Sequence, residues 1–306
     1  MCAGEAAIHG PSVRAPIDVP ALTGRLRRRQ PAHRMSKAAH GFGAAAPRRA
    51  VIFPAQGARH VGRRATFAAL ASLAAGRAGG AADPQAGARE VMVLTIEEHA
   101  RRAGNALGRA SIDPRVLEAM RRVPRHAFVP PELAANAYED RPLPIGHGQT
   151  ISQPFIVALM TDMLRTAPGQ AVLEVGTGSG YQAAVLSALV RAVHSVEIIA
   201  PLADAAERRL RELGHANVAV HRGDGYYGVP QAAPFDGIMV TAAAGGIPPP
   251  LLDQLRPGGR MVIPVGGAFA LQHLVLVEKA ADGKVRTRQT LPVRFVPLVR
   301  GGGGGG

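Results

Sequence analysis

Residues 171–180 read A-V-L-E-V-G-T-G-S-G. An apolar run of strand length ends in glycines at 176, 178 and 180, and residues 181–190 continue as Y-Q-A-A-V-L-S-A-L-V, which suits a buried helix. The order strand, glycine turn, helix commits this segment to the interior of a parallel sheet. It also brings backbone N–H groups and a helix N-terminus up to a ligand, with glycine allowing close approach.

The remainder of the chain extends that commitment. Strand patterns fall at 171–175, 192–198, 217–222, 235–241 and 260–265, and helical patterns at 179–190, 201–213 and 248–255. Alternation of this kind predicts a parallel sheet covered on both faces. Runs at 271–278 and 285–298, joined by the turn signal Asp282-Gly283, predict an antiparallel pair at one edge. Before the glycine turn the expectation is an all-helical preface. Residues 96–107 are helical in composition. Asp113 caps a helix that opens on Pro114, and Pro130-Pro131-Glu132 starts a short helix ending near Tyr138. Residues 141–150 read as loop, and Ser152 as the N-cap of a helix with Pro154 just inside it. The fold class is therefore α/β: a Rossmann-like, mostly parallel sheet of the class I methyltransferase kind, with a helical N-terminal subdomain.

Glycine spacing and acids narrow the ligand. A dinucleotide fingerprint spaces its glycines G-x-G-x-x-G. Here the spacing is G-x-G-x-G, and Glu174 stands two residues before Gly176. A carboxylate there suits the ammonium group of an amino-acid tail, which S-adenosylmethionine carries. Glu197, at the end of the second strand, is placed for ribose hydroxyls. Asp224, between Gly223 and Gly225, is assigned to the adenine amino group. The cofactor-binding set is thus Glu174, Gly176, Thr177, Gly178, Ser179, Gly180, Glu197, Asp224 and Gly225. After the fourth strand comes Thr241-Ala242-Ala243 rather than Asn or Asp followed by two prolines, which argues against methylation of a nucleobase amino group.

Composition sets limits. One cysteine, Cys2, excludes a disulfide framework and a cysteine-rich metal site, and no metal is expected. The net charge is +14, but residues 1–90 hold 14 Lys and Arg against 4 Asp and Glu, leaving 22 against 18 for the rest. Residues 1–90, rich in Ala, Arg, Gly and Pro, read as a disordered basic extension, 91–300 as the catalytic domain and 301–306 as a flexible glycine tail. Within 62–82, Arg63-Arg64 before a short apolar stretch resembles a twin-arginine export signal. A cytoplasmic location is the expectation, since a methyl donor of this kind is cytosolic, with export the alternative. No run is long enough to span a membrane.

One further segment carries chemistry. Gly146-His147-Gly148-Gln149-Thr150-Ile151-Ser152-Gln153-Pro154 is a glycine-hinged loop running into a helix N-terminus, suited to an anionic substrate. Together with V-P-R-H-A-F-V-P (123–130), A-Y-E-D (137–140), L-E-V-G-T-G-S-G-Y-Q (173–182), P-F-D-G-I-M-V-T-A-A (234–243), L-R-P-G-G-R-M-V-I-P-V-G (255–266) and R-F-V-P-L (294–298), it resembles the protein-L-isoaspartate (D-aspartate) O-methyltransferase family. The resemblance runs from about residue 112 to 299 and departs at His147, where glutamine is frequent, and in the long N-terminal extension.

That resemblance implies transfer of a methyl group from S-adenosylmethionine to the free carboxylate of L-isoaspartyl and D-aspartyl residues in damaged proteins. The ester then closes to a succinimide without the enzyme. It implies Ser152 as the active-site residue, with Thr150, Ile151, Thr241 and Ala242 toward the substrate. Arg294–Leu298 is read as an edge strand that packs, with a hold on the peptide as the alternative. A carboxylate is ionised at neutral pH, so no general base is needed. Expected partners are isoaspartyl proteins and peptides, with no specific nucleic acid and no membrane span, and the protein itself is expected to be a monomer. The rival reading is a class I enzyme for another carboxylate, a small molecule or RNA.

Overall fold

A computed structural model describes residues 83–267 and 271–301. The twin-arginine-like segment at 62–82 and the glycines at 302–306 lie outside the described residues.

Helices come first. Helix α1 (Ala86–Arg102) and the single turn α2 (Gly104–Leu107) precede α3 (Pro114–Arg122). The chain turns into α1 five residues before the boundary expected at 91, and Met92, Val93 and Ile96 of α1 are wholly buried. Asp113 caps α3 as expected, its carboxylate accepting from Arg115 N at 2.8 Å. Short 3-10 turns follow at Arg125–Phe128 and Pro131–Asn136.

Residues 143–151 depart from expectation. The segment read as loop is a hairpin, strand β1 (Leu143–Gly146) pairing antiparallel with β2 (Gln149–Ile151). Gly146, His147 and Gly148 all have positive φ, which turns the chain in two residues and gives so short a hairpin its reversal. The preface is therefore not all helical. Helix α4 (Pro154–Leu164) follows, and Ser152 does not cap it: Gln153 is the N-cap residue and makes no side-chain cap bond. Asp140 does that work from a distance, accepting from Phe155 N at 2.8 Å and from Gln153 Nε2 at 2.8 Å.

The sheet then forms in the expected order. Its strands are β3 (Ala171–Val175), β4 (Ala192–Glu197), β5 (Val218–Arg222), β6 (Phe235–Val240), β7 (Leu255–Val265), β8 (Gln272–Lys279) and β9 (Val285–Val293), with α5 (Tyr181–Ser187), α6 (Ala200–Glu212) and α7 (Pro249–Gln254) between them. The spatial order is β5-β4-β3-β6-β7-β8-β9. Pairing is parallel up to β7 and antiparallel for β8 and β9. Strand β7 begins five residues earlier than expected, because R-P-G-G (256–259) is accommodated as an irregularity in the pairing with β6.

Both faces of the sheet are covered. In β8, Leu274 and Leu276 pack under the α1–α3–α4–α5 layer, whereas Val275 and Val277 belong to the opposite core with Phe235, Leu251 and Met261. That period of two, with both phases apolar, is what a doubly covered strand requires. Each large side chain so buried contributes about 1.5–3 kcal/mol. From β3 the chain steps to β4 on one side and later to β6 on the other. The carboxyl ends of these strands flank a topological switch point, where open α/β sheets bind ligands.

Candidate active site

A cavity opens at that point. Its walls come from Gln149 and Thr150 of β2, Val175, Gly176 and Gly178 of the glycine loop, Val196–Ile199 at the end of β4, Gly225, Thr241 and Ala242 after β6, and Val296–Val299 near the end of the described chain.

The glycine loop is fixed from below and from the side. Thr177 donates to Ser195 Oγ at 2.6 Å and Ser195 donates in turn to Glu174 Oε2. From the β6 side, the Thr241 hydroxyl is shared between Gly176 O at 2.7 Å and Val175 O at 3.0 Å. A Cβ at Gly176 would lie 2.5 Å from Thr241 Oγ1, and its φ is +94°. Two backbone N–H groups, those of Gly178 at 2.8 Å and Ile199 at 2.9 Å, hold the Glu197 carboxylate.

Several expected residues stand elsewhere. Glu174 was expected to meet an ammonium group directly, but it is completely buried beneath the loop and off the cavity wall. Burial pushes its carboxyl up to about 8, against the opposing pull of the Ser195 hydroxyl. Thr177 is buried below the loop, Ser179 faces a neighbouring groove, and a Cβ at Gly180 would press on Leu210 of α6. Gly180 thus permits close helix packing. Ile151 is a core side chain. Asp224 lies beside the cavity: its Oδ1 accepts from Tyr226 N at 2.9 Å, and its Oδ2 from Gly301 N at 2.9 Å and Arg300 Nε at 3.2 Å. Burial works against its ionisation, but these donors prevail and hold it below the usual aspartate value.

Ser152 is half-buried, one residue beyond β2. Its backbone carbonyl accepts from Arg125 Nη2 at 2.7 Å. Arg125 is wholly buried, donates also to Ala137 O at 2.7 Å, and lies 4.8 Å from the Tyr181 ring centroid. Sequence reasoning gave it no role, since an arginine inside V-P-R-H-A-F-V-P carries no mark of burial. The segment at 294–298 is also more than a packing edge. Strand β9 ends at Val293, and the chain then crosses to Ala243, with Ala243 N donating to Val296 O and Leu298 N to Ala243 O, both at 2.8 Å.

This site fits S-adenosylmethionine. Glu197 and Asp224 stand at adjacent strand ends at the cavity, and a Cβ at Gly225 would collide with Val175 on the cavity floor. Fold and site together define a class I, S-adenosylmethionine-dependent methyltransferase. Within that class the chain belongs to the protein-L-isoaspartate (D-aspartate) O-methyltransferase family, whose model matches residues 106–303. It is 63% identical over 233 residues to protein-L-isoaspartate O-methyltransferase 2 of Syntrophobacter fumaroxidans, covering 76% of this chain and 94% of that protein. It is 60% identical over 217 residues to protein-L-isoaspartate O-methyltransferase 1 of Cupriavidus necator, covering 71% and 84%. A solved protein-L-isoaspartate O-methyltransferase shares 30% identity with a TM-score of 0.60, over 68% of this chain and 65% of that one. The fold is also that of a Plasmodium falciparum structure solved with S-adenosyl-L-homocysteine, at 24% identity and a TM-score of 0.56.

Proposed function

We propose that this chain methylates the free carboxylate of L-isoaspartyl and D-aspartyl residues in damaged proteins. One observation carries the reading: Gln149 and Thr150 of the Q-T-I-S hairpin stand on the same cavity wall as Gly176, Glu197 and Gly225. The segment that suits an anionic acceptor and the loop that suits the donor share one chamber. S-adenosylmethionine bound there supplies a methyl group on a positive sulfur.

The protein's part is placement. Glu197 holds ribose hydroxyls, and Asp224 takes the adenine amine once Arg300 or Gly301 yields one of its bonds. Glu174 acts at one remove, through Ser195 and Thr177, by fixing the loop. Thr241 does the same through its hydroxyl, while Ala242 is a small wall residue near the acceptor. Thr150 and Ser152, two apart in extended chain, fall on one face. Ser152 directs the substrate carboxylate, which is already ionised and needs no base. The hold must be light, since the carboxylate loses charge as the ester forms. The strap at 296–298 lies along the same wall and can pair with the peptide backbone.

Methylation of an isoaspartyl peptide tests the assignment. Ser152→Ala should lower kcat by about tenfold or more while S-adenosylmethionine binding stays near normal. Glu197→Ala and Asp224→Ala should instead weaken donor affinity. A wild-type chain that methylates small carboxylates or RNA but not the peptide would reject this acceptor. The chain's compartment follows the same reading: a cytosolic donor implies a cytoplasmic enzyme, and recovery only from the periplasm would favour the twin-arginine alternative. No helix among the described residues is long and apolar enough to cross a membrane.

A further inference from the structure

The opposite end of the sheet carries a second concavity, of about 320 Å³. Four arginines converge on it, Arg109, Arg165, Arg260 and Arg288, around apolar side chains that include Leu159 and Leu276. They arrive from the turn after α2, the end of α4, β7 and β9. Arg260 pairs with Gly237, which pairs in turn with Val172 near the start of β3, so this place lies at the far strand ends from Gly176.

Two of the four charges are met by acids. Arg109 pairs with the buried Asp162, which also accepts from Asp113 N at 2.9 Å. Arg260 pairs with Glu278 and donates to Met163 O at 3.2 Å. Arg165 and Arg288 have no acidic partner among the described residues. Two positive charges therefore remain. The crowding is felt by the inner pair: burial first, and then the fields of Arg165 and Arg288, hold Arg109 below the usual arginine value. Burial likewise lowers Arg260; Glu278 opposes this, and the three other guanidiniums add to it. Arg165 also sits at φ +53°, the left-handed conformation at a helix end where glycine is the common residue. A side chain there costs about 1–2 kcal/mol. This position nonetheless presents a long cation to the concavity.

We propose that this concavity binds a doubly charged oxyanion, a phosphate or a phosphate ester, between Arg165 and Arg288, with Arg109 and Arg260 completing the ring. Planar guanidinium forks match phosphate oxygens in pairs. The apolar side chains leave room for an organic group on the ester. Nothing in this site touches the methyl-transfer chamber, so ligand binding and catalysis are separable.

Calorimetry tests the proposal on the full chain saturated with S-adenosylhomocysteine, which keeps the donor cavity filled. Inorganic phosphate and AMP are titrated against sodium chloride of matched ionic strength. The expected result is saturable one-to-one binding of phosphate, weakened about tenfold or more in the double variant Arg165→Gln/Arg288→Gln. Both side chains are exposed, so the variant should keep the fold, its S-adenosylhomocysteine affinity and its methylation rate. Tighter binding of AMP than of phosphate assigns the site to an ester; equal binding assigns it to the free ion. Heat no different from chloride, or equal affinity in wild type and double variant, overturns the proposal.

Discussion

Arg125 has no exposed surface and no carboxylate in an ion pair among the described residues, and burial brings its guanidinium down to about 10. Its hydrogen bonds go to two backbone carbonyls, Ala137 O and Ser152 O. A buried charge spent on the backbone of the proposed active-site residue is best understood as a support for that residue's position. Arg125→Lys keeps the charge but loses the planar fork, and each such bond is worth about 1.5–3 kcal/mol. The variant should unfold at lower denaturant concentration and show a reduced kcat with an unchanged KM for S-adenosylmethionine. A stability loss with kcat intact would confine Arg125 to packing. Arg125 was invisible in the sequence because burial of an arginine is decided by partners 12 and 27 residues away. Asp140 was missed as the cap of α4 for the same reason, since the local pattern favoured Ser152.

The strap after β9 closes the cavity from a position that strand periodicity cannot describe. Among the described residues one side chain ties it down: Gln272, 1% exposed, accepts from Phe295 N at 2.6 Å and donates to Phe295 O at 3.1 Å. Gln272→Ala removes both bonds. At about 1 kcal/mol each, their loss should raise KM for donor and peptide by about 5–30-fold, with kcat little changed. Steady-state kinetics with each substrate varied in turn decides this. A fall in kcat alone would mean that the strap shapes the reacting geometry rather than the walls. The elements with a near-continuous apolar run or a capping residue were legible from sequence, as β3 and α3 show. The β1–β2 hairpin was not: its strands are 4 and 3 residues long, too short for any period to register, and its turn puts His147 at φ +52°.

Over the whole molecule, the strands and the antiparallel edge pair were readable before the structure, because a doubly covered parallel sheet demands near-continuous apolar runs, whereas the spatial order of the strands was not. The charge on Glu174 was not readable, since it depends on the layers that seal it. Its carboxyl lies at about 8 in the folded chain against an ordinary 4.5. Between those values the folded chain keeps a proton that the unfolded chain has released. The stability this supplies is complete below the ordinary value and is lost as pH rises through about 8. Glu174→Gln should therefore gain in melting temperature on the wild type, in the absence of ligand, as pH goes from about 5 to 8, by about 2–4 °C for each kcal/mol. Parallel melting curves across that window would show the carboxyl ionised throughout.

The contact between Gly176 and Thr241 also sets an order in which this sequence can change. Any side chain at 176 would meet the hydroxyl at 241, so position 241 must become smaller before position 176 can become larger, and the positive φ at 176 taxes even that path. Two positions 65 residues apart are thus bound into one step of descent, and lineages that drift at 241 should tolerate at 176 what this chain cannot.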